Sequence, residues 1–442
     1  MRVLLISPNR EILPDPVFPI GLAYVAGGLK RAGHDVRVLD LLMVSDIKEA
    51  IKKEIAEFSP DAIGISLRNI DDVSYPKSHS YLEEYRCVVN SVRECTSKPI
   101  ILGGSGFTIM PEEFISELGA DYGVLGEGEE AMPEILRRLG RGTNKIIKGK
   151  KRAKLDETIP LRGLFDSGLY YRVGGMLNIQ TKRGCPFGCI YCTYPFVEGR
   201  RLRLRDPKNV VDEMEGVVSE TGVRHFFIVD SVFNYPAGHA EGICREIIRR
   251  NLDIKWTCYA TPFSMTPKLV ELMVRAGCTG VEFGIDSLDD EGLRVLGKNF
   301  DLKKIKEAST LCRRAGLRFC HFIFVGAPGD TLDSVKRAFS RLDEIAPDAA
   351  VIMAGIRIFP RTRLQKIAEA ELGIKEIGLS PVFYISNDVL RGLEDIGEEV
   401  SKRRNWVMPG LEINVYERLQ RRLRECGIKG PLWEGLSERI RQ

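Results

Sequence analysis

The sequence predicts an α/β protein: a doubly wound parallel sheet, then a partial or complete βα barrel, closed by a short helical tail. Three observations carry this. The first 140 residues alternate short β-branched runs with amphipathic helical patterns, and a second alternating series begins near residue 176. The strand segments are apolar on both faces, as buried parallel strands are. At 442 residues the chain is also long enough for two separate cores.

In the first domain, taken as residues 1–142, "RVLLIS" (2–7) reads as a strand and "GLAYVAGGLKRAG" (21–33) as a helix ending at Gly33. "DVRVLD" (35–40) is the second strand, and "DIKEAIKKEIAEF" (46–58) repeats Ile47, Ile51 and Ile55 at helical spacing. "DAIGIS" (61–66), "PIILGG" (99–104) and "YGVLGEGE" (122–129) supply further strands. Ligands of such a sheet lie at the carboxyl ends of its strands. Those ends carry Pro8 and Asn9; Ser66, Arg68 and Asn69; Gly103, Gly104, Ser105 and Gly106; and Gly126 and Glu127.

Residues 143–173 are polar, contain "KGKKRAK" and show no clear period, so they read as a linker. The barrel spans 174–378. Its strands are "MLNIQ" (176–180), "HFFIVD" (225–230), "KWTCYA" (255–260), "GVEFGI" (280–285), "RFCHFIFVG" (318–326) and "AAVIMAGIRIF" (349–359), with intervening helices that include 265–276 and 302–315. Over 379–442 a helical tail carries Val415, Leu419 and Leu423 as its apolar stripe and Gly427 as its stop.

The composition, 44% apolar and 29% charged, is that of a globular protein. No apolar run reaches the roughly 18 residues a membrane span needs. "MRVLLISPNR" reads as a strand rather than a secretion signal, because charge follows almost at once. A cytoplasmic location is expected, and the eleven cysteines are then thiols or metal ligands rather than disulfides. A net charge of +4 from 65 basic and 61 acidic side chains is too balanced to imply nucleic acid. Arg200, Arg201, Arg203 and Arg205 form a local basic cluster that could hold a carboxylate or phosphate. Lys402, Arg403 and Arg404 read as a solvated face.

The chemistry is concentrated in "GCPFGCIYC" (184–192), which places Cys185, Cys189 and Cys192 just after the first barrel strand, on the face where barrel chemistry sits. Gly184, Pro186 and Gly188 let the loop curl so that three sulfurs surround one object. Structural zinc takes four ligands, and no histidine or fourth cysteine lies nearby. An iron–sulfur cube normally takes four cysteines. With three, one iron keeps an exchangeable site that the amino and carboxylate groups of an amino acid can chelate.

On this motif, with the aromatic Tyr191 before the last cysteine, the sequence resembles the radical SAM superfamily. The resemblance implies a 4Fe-4S cluster on Cys185, Cys189 and Cys192, with S-adenosylmethionine (SAM) on the open iron. Given an electron from a flavodoxin or ferredoxin, the cluster then splits the sulfonium to a 5′-deoxyadenosyl radical. It also places Asp230 and Ser231 of "VDS" where the methionine amino group binds, and Asp286 and Ser287 of "GIDS" at the ribose hydroxyls. "GAPGDT" (326–331) resembles the glycine-rich turn after the fifth strand.

A doubly wound domain ahead of such a barrel resembles the cobalamin-dependent class. The matching segments include "PIGLAYVAGGLKRAGHDVRVLD", "ILGGSGFTIMPEE", "DYGVLGEGEEAMPEIL" and "EGRRLRLRDPKNVVDE". The class has a Rossmann-like domain that takes the nucleotide tail of cobalamin along its strand ends and a TIM-like barrel, with the corrin between them. Glycines such as Gly103, Gly104 and Gly106 would let backbone approach that bulky ligand. Domains that ligate cobalt from below use an Asp-x-His-x-x-Gly motif; here that loop reads "SPNREILPDP", without histidine. Arg68 of "SLRNID" could instead cover the cobalt face without ligating it, since a guanidinium has no acceptor lone pair. The alternative is that Arg68 pairs with Asp71 or Asp72.

The activity this resemblance implies is transfer of a methyl group from SAM, by way of methylcobalamin, to an unactivated carbon. A cyclase or rearrangement enzyme with the same cofactors is the alternative, and a cobalamin carrier or sensor the non-enzyme one. Members act on hopanoid lipids, antibiotics, tryptophan and peptide residues. A compact chain with a basic rim points to a peptide or protein residue, such as the glutamine Cα of methyl-coenzyme M reductase; a lipid or small metabolite is the alternative.

Overall fold

The computed structural model describes residues 1–140, 145–415 and 417–435, so the expected domain boundary at 142/143 lies outside the described residues. Six strands build the first sheet: β1 (Arg2–Ser7), β2 (Asp35–Asp40), β3 (Ala62–Ser66), β4 (Ile100–Gly103), β5 (Tyr122–Leu125) and β6 (Ile146–Lys148). All run parallel, in the spatial order β2-β1-β3-β4-β5-β6. β1 shows why its sequence is apolar throughout. Val3 and Leu5 join the core under helices Ile20–Arg31 and Gly128–Arg138, whereas Leu4 and Ile6 join the core under Ile47–Phe58 and Leu82–Cys95. The order reverses between β1 and β3, and Asn9 and Arg68 follow those two strands, at the crevice where such sheets bind ligands.

Two expectations are corrected here. The segment set aside as a linker contributes β6, paired with β5 in the register Gly123↔Ile146. It also holds a helix, Ser167–Gly174, whose first turn is capped by Asp166 accepting from the Leu169 N–H at 2.9 Å, worth about 1 kcal/mol. A three-residue edge strand among lysines carries the short, charged signature that protects sheet edges, and that signature hides it from a search for apolar runs. The segment 122–129 is not all strand: Gly126, at φ +82°, ends it and a helix starts at Gly128.

The second sheet contains β7 (Leu177–Ile179), followed by an antiparallel ribbon of β8 (Lys182–Arg183) and β9 (Arg203–Leu204) that brackets the cysteine loop. Then come β10 (His225–Ile228), β11 (Lys255–Ala260), β12 (Cys278–Asp286), β13 (Arg318–Val325) and β14 (Ala349–Ala354). The expected strand 349–359 breaks at Gly355, φ +61°, and β15 (Ile356–Arg357) pairs instead with β16 (Phe383–Tyr384). β17 (Trp406–Val407) adds to β14, so a barrel strand lies inside the tail expected to be helical. The order β17-β14-β13-β12-β11-β10-β7 is parallel and open between its ends: a partial barrel.

The tail also stoppers the barrel. Trp433 packs on Cys320 and Ala349, and Glu434 accepts from the Thr257 and Thr279 hydroxyls at 3.0 and 2.9 Å. Within the tail, Leu419 and Leu423 are buried on helix Glu417–Glu425, but Val415 precedes that helix and is not part of its stripe. No described helix is long and apolar enough to cross a membrane.

Candidate active site between the two domains

The cysteine loop hangs from the β8–β9 ribbon. Gly184 sits at φ +99°, and a Cβ there would lie 2.3 Å from the Arg201 carbonyl oxygen, so only glycine fits. The Cys185 N–H donates to Gly199 O at 2.9 Å, and the Ile190 N–H to Leu296 O at 3.1 Å. Glu198 accepts from the Gly184 N–H at 2.9 Å; burial raises its carboxyl to about 7. Ser231 donates to Gly184 O at 3.1 Å and hydrogen-bonds the Cys185 thiol. Burial raises the Cys185 thiol and pushes Cys192 up to about 12; the other cysteines of the loop act in the same sense, while the N–H groups of Phe187 and Tyr194 oppose it.

Above the loop, Tyr191 donates to Asp286, and Lys298 pairs with the same carboxylate while donating to Gly284 O at 2.9 Å. Asp286 ends β12 at φ +66°, a left-handed conformation rare outside glycine, Asn and Asp. The ladder to β13 shifts register at that point, which turns the carboxylate toward Tyr191. Burial alone would lower the Lys298 ammonium, but Asp286, Cys189 and Cys192 together hold it above its ordinary value. Lys298 was not singled out from the sequence. It lies twelve residues beyond Asp286 in a surface-like stretch, and only the fold returns it to the cysteines.

Asp230 and Ser287 are placed differently from the expectation. Asp230 is 0% exposed and accepts from the Thr181 N–H at 2.7 Å, the Lys182 N–H at 3.2 Å and the Thr181 hydroxyl. Lys182, 1% exposed, pairs with it at 3.2 Å. This carboxylate is consumed by protein groups and fixes the approach to the cysteine loop. Ser287 accepts from the Asp289 N–H at 3.1 Å, in its own turn. The "GAPGDT" turn is likewise self-capped: Asp330 accepts from the N–H groups of Gly326 and Ala327 at 3.0 and 2.9 Å.

On the first domain, Arg68 stands at the end of β3. Its carbonyl oxygen takes the Gly106 N–H at 2.9 Å and the Ser105 hydroxyl at 2.6 Å, and Asn69 O takes the Tyr85 hydroxyl at 2.7 Å. The backbone is therefore pinned, while no described group pairs with the guanidinium. Neither candidate acid engages it. Asp71 pairs with Arg357 at 2.8 Å, both buried, and Asp72 accepts from the N–H groups of Ser74 and His79 at 3.1 and 3.0 Å. The glycine argument needs amending. A Cβ at Gly104 or Gly106 would collide with the Leu67 or Asn69 backbone at 2.4 and 2.9 Å, so these glycines serve the Arg68 loop. Gly103 meets nothing closer than Val124 at 3.8 Å, and Gly126 has open space beside it. Ser66 follows the ladder opposite Gly103, Pro8 is buried, and the Asn9 amide nitrogen is buried without a partner.

Glu127 is a correction. Its carboxylate meets Arg203 at 2.5 Å and Arg183 at 3.2 Å, and Arg183 also reaches Glu129 at 2.7 Å, all largely buried. A strand end expected to face a ligand is instead clamped to the ribbon of the cysteine loop. The same clamp dissolves half of the basic cluster, since Arg205 too is buried, against Glu213 at 2.6 Å. Arg200 and Arg201 remain exposed.

Helix Ser105–Ile109 of the first domain contacts helix Tyr194–Val197, which directly follows Cys192. Burial raises the Tyr194 phenol; Glu198, Cys192 and Cys185 act in the same sense and Arg68 opposes them. Tyr194 and Tyr259 are 37% and 38% exposed. A cavity of about 210 Å³ opens from Tyr191 and Asp286 into the barrel, lined by Tyr259, Gly284, Phe322 and Met353.

The residues suit the groups the sequence implies. No three described His, Cys, Asp or Glu side chains converge on a single ion, but a cube makes no such demand, because each cysteine ligates a different iron. Lys298 offers an ammonium to a carboxylate beside the cysteines. The unpaired Arg68 guanidinium and the orphaned Asn9 donor offer hydrogen bonds to a polar ligand at the switch point.

Comparison with known proteins agrees. Residues 13–136 match the B12 binding domain and residues 179–342 the Radical SAM superfamily. The chain is 26% identical to the tryptophan 2-C-methyltransferase of Streptomyces laurentii, over 85% of this chain and 76% of that protein. It is 25% identical to the anaerobic magnesium-protoporphyrin IX monomethyl ester cyclase of Cereibacter sphaeroides, over 79% and 61%. The fold matches the radical S-adenosylmethionine methyltransferase TsrM of Kitasatospora setae, solved with cobalamin and a [4Fe-4S] cluster, at a TM-score of 0.87 and 24% identity over 100% and 98% of the two chains.

Proposed function

The chain belongs to the cobalamin-dependent radical SAM enzymes, and from that membership we propose that it methylates carbon on a small, planar, largely apolar substrate. When bound, the cluster, SAM and cobalamin supply the methyl group and the means of activating it. The residues of this chain bind, orient and exclude water. Cys185, Cys189 and Cys192 hold the cluster; Tyr191, Asp286 and Lys298 face SAM, with Lys298 taking its carboxylate. Arg68, held out by its pinned backbone, faces the corrin. A guanidinium has donors but no acceptor lone pair, so Arg68 would cover the corrin without ligating it.

The observation that carries this reading is Tyr194. Its helix, Tyr194–Val197, follows the cysteine loop and contacts helix Ser105–Ile109 at the strand ends of the first sheet, which supports one chamber for the two cofactors. The aromatic walls of the cavity, Tyr191, Tyr259, Phe322 and Phe324, favour a flat apolar substrate. The peptide or protein residue expected from the sequence is the second reading, because Tyr259 of the cavity wall is exposed to solvent. Arg200 and Arg201, exposed beside the loop, suit an acidic electron-donor protein of the flavodoxin or ferredoxin type.

Anaerobically reconstituted protein tests the reading. It should consume SAM and transfer methyl to bound cobalamin, and mass spectra of host extracts with and without the gene should show one metabolite gaining a single methyl. A product of unchanged mass would identify a cyclase or rearrangement enzyme, and a methylated peptide would select the second reading.

A further inference from the structure

Beneath the cavity lies a carboxyl group that neither the cluster, SAM nor cobalamin requires. Glu282 is on β12, opposite Tyr259 of β11 and Cys320 of β13. Strand alternation puts it on the same, lumen-facing side as Gly284, which lines the cavity. A Cβ at Gly284 would meet only Asp286, at 3.8 Å, so the space above Glu282 is open. The side chains flanking it in sequence, Val281 and Phe283, point the other way, into the core under the helices.

Glu282 is 5% exposed and is held from below. The Trp433 indole N–H donates to Oε1 at 2.8 Å. Oε2 has no hydrogen-bond partner among the described residues. Among the described residues no cation pairs with the group. The other acids nearby are already engaged, Asp15 with Arg424 at 2.6 Å and Glu434 with Arg318. A buried carboxyl with one oxygen fixed and the other idle is costly unless something completes it. Burial accordingly raises it to about 8, with Asp15 and Glu434 acting in the same sense.

We infer that Glu282 is a substrate-recognition residue: its free oxygen, bared when the carboxyl releases its proton to solvent as the substrate enters, accepts a hydrogen bond from a nitrogen-bound hydrogen of the substrate, either an ammonium or a ring N–H. The bond it already accepts from the Trp433 indole shows the geometry such a donor would use. An aromatic lumen with one acceptor at its floor selects a flat molecule carrying nitrogen, and fixes which carbon faces the chamber above. This rests on the function proposed above.

The test uses the cluster- and cobalamin-loaded protein with S-adenosylhomocysteine in place of SAM. Three probes are titrated by equilibrium dialysis: L-tryptophan, 3-benzothienyl-L-alanine, which lacks the ring N–H, and indole-3-propionate, which lacks the ammonium. The probe missing the recognised hydrogen should bind about tenfold or more weakly than tryptophan, and which probe that is tells ammonium from ring N–H. Glu282→Gln, whose amide oxygen still accepts from Trp433, should remove that discrimination. Trp433→Phe, which keeps the carboxyl, should retain it. If the three probes bind alike, if none binds, or if Glu282→Gln discriminates as before, the assignment is wrong. Methyl transfer from SAM to cobalamin, measured without any probe, reports separately on the proposed function.

Discussion

Asp230→Asn separates two roles for one carboxylate. In the structure its four contacts all go to the segment Thr181–Lys182, and its charge neutralises a lysine that is 1% exposed. Asparagine can keep the oxygen that accepts from the two backbone N–H groups. Its amide NH2 then faces the Thr181 hydroxyl and the Lys182 ammonium, donor against donor, and the ammonium is left buried without a counter-charge. Breaking one side of a buried pair costs about 3–5 kcal/mol. The bond from Lys182 to Phe233 O at 2.7 Å does not replace the lost charge. Denaturant unfolding of the reduced apo-protein should register that loss. Asp230→Asn combined with Lys182→Met should recover most of it, because the interaction is pairwise. A variant as stable as the wild type, but with weakened SAM binding, would refute this reasoning and return Asp230 to the cofactor.

Cys192→Ala should abolish the iron–sulfur absorption of the reconstituted protein while cobalamin still binds, read from the two sets of visible bands. Glu127→Gln, which loosens the clamp to Arg183 and Arg203, should change the spin–spin coupling between reduced cluster and cob(II)alamin in electron paramagnetic resonance, with cobalamin affinity little altered. The raised carboxyl of Glu282 gives a pH signature. The folded state holds its proton up to about 8, the unfolded chain releases it near 4.5, and so wild-type stability falls as pH rises through that window. Glu282→Gln should lose that slope and gain on the wild type between pH 5 and 8, by as much as about 4–5 kcal/mol; parallel stability curves would contradict it.

The two-domain order, five of the six strands of the first sheet and six of the seven strands of the barrel sheet are legible in the chain, because each is an apolar run long enough to stand out from its flanks. The three cysteines are legible because their spacing is a chemical constraint within nine residues. β6 and β17 are not, since edge strands of two or three residues take their stability from one neighbour rather than from their own composition. Arg68 does stand at a strand end with no described group paired to its guanidinium, and Tyr191 and Asp286 do meet. The carboxylates of Asp230 and Glu127, read as cofactor contacts, meet protein groups instead.

What the sequence determined by itself is therefore local: periodicity, turn chemistry and a ligand motif whose members are neighbours along the chain. Only the tertiary structure decided which charges are spent and which are available. Arg357, 286 residues from Asp71, takes the acid that would otherwise have engaged Arg68. Arg183 and Arg203 take Glu127, and no described residue takes the second oxygen of Glu282. A charged side chain finds its partner through space in a medium of low dielectric, and the distance along the chain carries no record of that choice.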